Sequence, residues 1–159
     1  MAWYTNSLTT LRVLIQDMTA PYTYNDDDLI TIMCSAASLI AGEITLQYAY
    51  IIDTSNLSIT PDPYVIRDTG FETLIAYKSA CLIGIGDSKK NASNAITVKD
   101  AGASINMTGA AVYTLKWSDS VCLQYEKIKQ SYQLGQYVIG DSISTPYGGI
   151  DSSSYHRRG

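Results

Sequence analysis

The run from Tyr24 to Ile44 constrains this chain more than any other segment. Asn25 stands before three consecutive aspartates, Asp26, Asp27 and Asp28, and Leu29, Ile32, Met33, Ala36, Ala37 and Ile40 then recur at spacings of three and four. That spacing lines one stripe of an α-helix. An asparagine is a natural N-cap, and carboxylates in the first turn favour the positive end of the helix dipole. Tyr24 before the cap and Leu29 behind it form the two halves of a hydrophobic staple. The small Ala36, Ala37 and Ala41 let a second helix approach closely. A helix with one apolar stripe must bury it against other elements, so the segment predicts a packed, mainly helical domain.

Three further helices are expected. One covers 7–16, with Leu8, Leu11, Val13, Leu14 and Ile15 around a single basic residue, Arg12, and Pro21 bars its continuation. A second follows Thr69-Gly70-Phe71-Glu72, which has the spacing of a capping box, and carries Phe71, Leu74, Ile75, Cys81, Leu82 and Ile85. Gly84 and Gly86 are expected to weaken its end, and 87–94 reads as a polar connection. The last covers about 109–134, with Thr108 as its cap. It is apolar on two faces, Leu115, Cys122, Tyr125 and Tyr132 on one and Trp117, Val121 and Ile128 on the other. The second face makes Trp117, Val121 and Ile128 candidate subunit contacts.

Between the helices the hydrophobic period changes. Residues 46–53 are rich in aromatic and β-branched side chains and read as a strand, 57–60 as a shorter one, and Asp53-Thr54-Ser55-Asn56 as the turn between them. Pro61-Asp62-Pro63 closes this insertion. Residues 95–100 alternate as a short strand before a turn at Ala101-Gly102.

From Gly135 the pattern collapses into a Ser-, Gly- and Tyr-rich stretch that buries too little to fold alone. It still carries Tyr137, Val138, Ile139, Ile143, Pro146, Tyr147, Ile150 and Tyr155, with a basic pair at Arg157 and Arg158. These choices fit an extended docking arm over 135–159 that orders on a partner, attached to a domain over 1–134.

Composition narrows the function. Charged residues make up 16% of the 159 positions and the formal charge is −4. No basic run exceeds two residues, which argues against gripping nucleic acid through its phosphates. The 13 tyrosines against a single phenylalanine suit half-buried contact surfaces better than a dry core. No apolar run is long enough for a membrane span, and the start lacks the basic and apolar regions of a signal peptide. Cys34, Cys81 and Cys122 are far apart in apolar stretches and read as buried thiols in a reducing cytoplasm.

Catalytic constellations are weak. Gly140-Asp141-Ser142-Ile143 has the look of a Gly-Asp-Ser esterase block, with His156 and Asp151 after it, but no α/β scaffold precedes it and Gly86-Asp87-Ser88 repeats the tripeptide. Asp26, Asp27 and Asp28 point about 100° apart on a helix and cannot converge on one ion. No phosphate-binding glycine loop occurs. No catalytic, cofactor-binding or metal-ligating residue is expected.

Thr10-Leu11-Arg12-Val13-Leu14-Ile15-Gln16-Asp17, then Tyr24-Asn25-Asp26-Asp27-Asp28-Leu29-Ile30, then Ala36-Ala37, resembles the opening of the head–tail connector (adaptor) proteins of tailed bacteriophages. The resemblance covers 8–45 at motif level and the rest in the order of elements. It implies a small, mainly helical, non-enzymatic virion protein, made in the host cytoplasm. Such a protein assembles as a homo-oligomeric, typically dodecameric ring beneath the portal, above a neck or tail protein. DNA passes through the ring without specific binding. A tail-completion or other neck protein, and a non-viral cytosolic helical interaction module, are the alternatives.

Overall fold

The computed structural model describes residues 2–94, 98–100, 103–105 and 108–140. Five helices and two small hairpins follow one another in the order α1 (Thr5–Leu14), α2 (Asp26–Glu43), β1 (Ile51–Asp53), β2 (Ser58–Thr60), α3 (Pro63–Ile66), α4 (Thr69–Asn94), β3 (Val98–Asp100), β4 (Ala103–Ile105) and α5 (Thr108–Gly140). The expected class, a mainly α bundle with a small β insertion, is the class observed.

The α2 helix forms as its sequence dictates. The Asn25 side chain accepts a 2.7 Å hydrogen bond from the Asp28 N–H, which satisfies one of the unpaired donors of the first turn. Leu29, Met33, Ala36, Ala37 and Ile40 are fully buried, and Ile32 packs at the edge of the same core. The β1–β2 hairpin pairs Ile51 with Thr60, Ile52 with Ile59 and Asp53 with Ser58. Its turn is closed by Asp53, whose Oδ1 accepts from the N–H groups of Ser55 and Asn56. The paired strands are shorter than the apolar run 46–53.

Both short helices α1 and α3 end in the same way. After α1, Asp17 N–H bonds the Arg12 carbonyl and Gln16 N–H bonds that of Val13; after α3, Asp68 bonds Pro63 and Arg67 bonds Tyr64. This is the paired-bond ending that needs one left-handed residue, and here it is Gln16 at φ 58° and Arg67 at φ 60°.

The α4 helix departs from expectation at both ends. Its cap is Asp68, whose Oδ1 accepts from Phe71 N–H at 3.0 Å, and not Thr69. The α3 ending delivers the chain to Asp68 in capping position, which makes Thr69 the first helical residue. The helix then runs through Gly84 and Gly86 to Asn94. An added Cβ at Gly84 would lie 2.8 Å from the Trp117 ring and 3.0 Å from Ser118 Cβ, so this glycine marks the crossing with α5 and not a helix end. The β3–β4 hairpin, in which Val98 pairs with Ile105 and Asp100 with Ala103, joins the two helices. It supplies the expected strand with a partner that the sequence reading did not foresee.

Three corrections follow from the α4–α5 pair, which packs antiparallel along its length. First, Cys81 and Cys122 form a disulfide across it, and only Cys34 among the described residues is free; two of the three expected thiols are therefore a cross-link. Second, the two apolar faces expected on α5 are one broad stripe. Val121 and Tyr125 are buried, and Trp117, Cys122, Ile128 and Tyr132 pack against the same core, whereas Leu115 faces outward. Val121 is thus covered by the chain itself and Trp117 and Ile128 are half-buried against it, because α4 is long enough to run beside them. Third, α5 continues to Gly140, so Tyr137, Val138 and Ile139 lie on a helix and the expected arm does not begin at Gly135. The remaining arm positions, Ile143, Pro146, Tyr147, Ile150, Tyr155, Arg157 and Arg158, lie outside the described residues, as do the Gly140 block's Asp141 and Ser142, Asp151 and His156.

A left-handed residue other than glycine costs roughly 1 kcal/mol. Gln16→Gly is therefore expected to stabilise the protein by about that amount, with an unchanged denaturant slope in urea unfolding.

Candidate functional site

The residues quoted for the α1–α2 segment meet in one corner. Arg12 reaches Asp17 Oδ2 at 3.0 Å through Nη1 and Asp26 Oδ1 at 2.5 Å through Nη2, and it also donates to the Tyr24 carbonyl. Its guanidinium lies 4.2 Å from the centre of the Tyr22 ring. Asp17 is buried, which works against its charge. The N–H groups of Thr23 and Tyr24, together with Arg12, outweigh that penalty and hold the carboxyl below its ordinary range. Arg12 thus ties the end of α1 to the cap of α2 and fixes the path of the connection. Asp26 serves as an ion-pair partner as well as a first-turn carboxylate.

Tyr24 carries the corner onward to α4. Its hydroxyl sits 2.7 Å from both carboxylate oxygens of Asp87. Burial, and then Asp87, push the phenol well above its ordinary value, so it remains a donor. Open depressions flank this contact. One of about 170 Å³ is lined by Ile15, Gln16, Tyr113 and Trp117, the other of about 360 Å³ by Ile32, Ser35, Leu82 and Gly86. Neither holds a nucleophile beside a base. Asp87 is engaged by Tyr24, and Ser88 of the repeated Gly-Asp-Ser tripeptide stands on α4 with its hydroxyl buried and without a hydrogen-bond partner. A catalytic serine needs an adjacent base and an orienting carboxylate, and this one has neither in contact.

Glu43, the last residue of α2, joins three helices. Its Oε1 meets Lys78 of α4 at 2.5 Å, and its Oε2 accepts from Tyr125 at 2.7 Å and Lys129 at 3.1 Å, both on α5. Both ammonium groups lie over the Tyr125 ring, at 4.6 and 5.1 Å from its centre. Burial disfavours the Glu43 charge, but Lys78, Tyr125 and Lys129 prevail and hold its pKa down to about 2. Sequence reading missed this cluster. The partners of Glu43 lie 35 to 86 residues from it, and only α2, α4 and α5 in register bring them together.

Asp68 is the third node. Beyond capping α4, it accepts from Tyr50 at 2.7 Å and from Tyr132 at 3.4 Å, and the Tyr132 hydroxyl in turn accepts from Gln47 N–H. The Tyr132 ring fills the space over Gly70. Nearby Glu72 is nearly buried, and its Oε1 has no hydrogen-bond partner. Burial, reinforced by Asp62 and Asp68, raises its pKa.

No cluster of three or more histidine, cysteine or acidic side chains among the described residues is placed to hold a metal ion. No helix among them is long and apolar enough to cross a membrane. The Arg12, Glu43 and Asp68 clusters join elements of one chain, and the candidate functional surfaces are the apolar side chains left outside. They include Val13, Met18 and Tyr22 at the end of α1 and in the connection after it; Ile51 and Val65, 73% and 70% exposed, on the first hairpin and α3; and Val112, Leu115, Leu123 and Leu134 on the outer side of α5, with Leu39, Tyr48, Ile85 and Tyr113 exposed elsewhere. Comparison with protein-family models, with curated proteins and with solved structures finds no match.

Glu72 yields a pH signature. A carboxyl whose native pKa is raised binds more protons folded than unfolded, so it costs stability as pH rises from the unfolded value, near 4.3, through its native one. Glu72→Gln should raise the thermal midpoint at pH 8 and leave it unchanged at pH 3.5, as read by circular dichroism melts.

Proposed function

We propose that this chain is a virion structural protein, a ring-forming head–tail connector subunit that docks beneath the portal and links capsid to tail around a DNA channel. The observation that carries the reading is the corner around Arg12. Arg12, Asp17, Tyr24, Asn25 and Asp26, quoted for the resemblance to connector proteins, are the residues that hydrogen-bond and ion-pair there. The motif is thus a structural device whose residues depend on one another, which makes its presence more informative than a capped amphipathic helix alone.

The surface chemistry supports the same reading. A connector works by geometry and needs no reacting groups, only adhesive edges around a rigid body. Ile51 and Val65 on one edge and Val13, Met18 and Tyr22 on another are different patches, as head-to-tail ring contacts require. A formal charge of −4 per subunit repels DNA from a ring of many copies. The segment 141–159, with its apolar side chains and basic pair, follows α5 and serves as the portal-docking arm.

Deleting residues 141–159 is expected to leave a domain with the full chain's thermal midpoint that no longer co-sediments with the portal protein encoded beside it. The full chain should form a large complex with that portal, read by mass photometry. Portal binding of undiminished affinity by the truncated chain would refute the arm's role. Failure of the full chain to bind any portal or neck protein of its own genome would refute the connector reading.

A further inference from the structure

The outer side of α5 carries a stripe that is symmetric about its own centre. The outward positions are Val112, Lys116, Asp119, Leu123, Lys127, Gln130 and Leu134, all exposed. Their spacings are four, three, four, then four, three, four, so Leu123 is the midpoint and every other position has a mate equally far on the other side. At 100° per residue, eleven positions return to within about 20° of the starting direction. Val112, Leu123 and Leu134 therefore form one straight apolar row about 33 Å long. They are 50%, 58% and 64% exposed, and nothing among the described residues covers them.

We propose that a second copy of this chain covers this face, its α5 lying antiparallel across a two-fold axis at Leu123. An antiparallel pair centred there sets each residue against its mate. Leu123 meets Leu123, Val112 meets Leu134, Lys116 meets Gln130, and Asp119 meets Lys127. The flanking positions agree: Ser120 opposes Glu126, and Leu115 opposes Ser131. Every apolar residue of the row faces another apolar residue, and the Asp119–Lys127 pair occurs twice.

The charges select both occupant and direction. A parallel pair in register would stack Lys116, Asp119 and Lys127 each on its own copy, three like-charge contacts that oppose association. In the antiparallel pair no like charges meet. Lys116, Asp119 and Lys127 take part in none of the ion pairs among the described residues, which gather instead around Arg12 and Glu43. An unrelated partner gives no reason for a charge pattern that complements its own reversal. The inference stands apart from the connector reading: a two-fold contact closes on itself, uses neither Ile51 and Val65 nor Val13, Met18 and Tyr22, and does not involve the portal.

The test is the mass of the full chain by sedimentation equilibrium. The wild-type chain is expected to be a dimer at roughly 100 μM, dissociating on dilution. Leu123→Asp sets two carboxylates against each other on the axis and should give a monomer. Asp119→Lys should weaken the dimer by roughly tenfold or more, because two attractive pairs become repulsive. Asp119→Lys with Lys127→Asp restores both pairs and should recover the wild-type constant. These substitutions are exposed, so unchanged circular dichroism is the control for folding. A wild-type monomer at that concentration, a dimer indifferent to Asp119→Lys, or a double variant no tighter than the single would each overturn the proposal. A portal-binding failure would leave it standing.

Discussion

The close approach of α4 and α5 at Gly84 is the constraint on which the rest of the fold depends. With no side chain at that position, the Trp117 ring and Ser118 lie directly against the α4 backbone. Any Cβ there would push the helices apart. The same separation brings Cys81 to Cys122 and lets Tyr132 sit over Gly70. It also sets Tyr125 and Lys129 where Glu43 can reach them. These contacts succeed one another along an antiparallel pair, so a change in spacing at Gly84 would be felt at all of them. A glycine in a helix interior costs roughly 1 kcal/mol relative to alanine. A contact as long as α4 itself offsets that cost.

Among the described residues, ion pairs gather in two places. Arg12 gathers Asp17 and Asp26 at one end of α2, and Glu43 gathers Lys78 and Lys129 at the other. In each cluster a central group sits between partners of opposite sign, and neutral donors, the Thr23 and Tyr24 N–H groups in one case and the Tyr125 hydroxyl in the other, satisfy what the ions leave open. That combination offsets the desolvation that would otherwise neutralise a carboxylate. Tyrosine extends the pattern: Tyr24, Tyr50 and Tyr125 each bury a ring and point a hydroxyl at a carboxylate on a different element. With Tyr132 they make four of the 13 tyrosines, and these four work inside the domain and not at an outer contact surface.

What could be read beforehand was whatever is local. The cap at Asn25, the α2 stripe and the Asp53 turn each depend on residues within a few positions of one another, and each stands where the pattern placed it. The failures were tertiary. Gly84 and Gly86 carry a local signal for ending a helix, and packing against α5 overrides it. Thr69 and Glu72 have the spacing of a capping box, yet the left-handed turn at Arg67 sets the phase one residue earlier, at Asp68. Glu72 is then left with an unpaired oxygen in place of a reciprocal bond. The Cys81–Cys122 cross-link and the Glu43 cluster join residues that no spacing rule connects. The division of α5 into two faces failed for the same reason, since its breadth of burial depends on the unforeseen length of α4.

That revised account of α5 changes where assembly must be sought. Trp117, Val121 and Ile128, the expected subunit contacts, pack against the core, and the exposed apolar side chains of α5 include Val112, Leu123 and Leu134, which lie in a straight row. A helix buried on one broad stripe by its own chain has a single remaining face, and a single face on a straight rod favours a partner with the same straightness. Another α5 supplies it. Other exposed apolar side chains, Ile51 and Val65 and also Val13, Met18 and Tyr22, lie on a hairpin, a one-turn helix, the last turn of α1 and the loop after it. These are irregular surfaces that match each other or a foreign partner more readily than themselves. In the proposed reading the two kinds of surface divide the work: a self-complementary rod pairs free copies, and the unlike edges are left for the head-to-tail contacts of a ring.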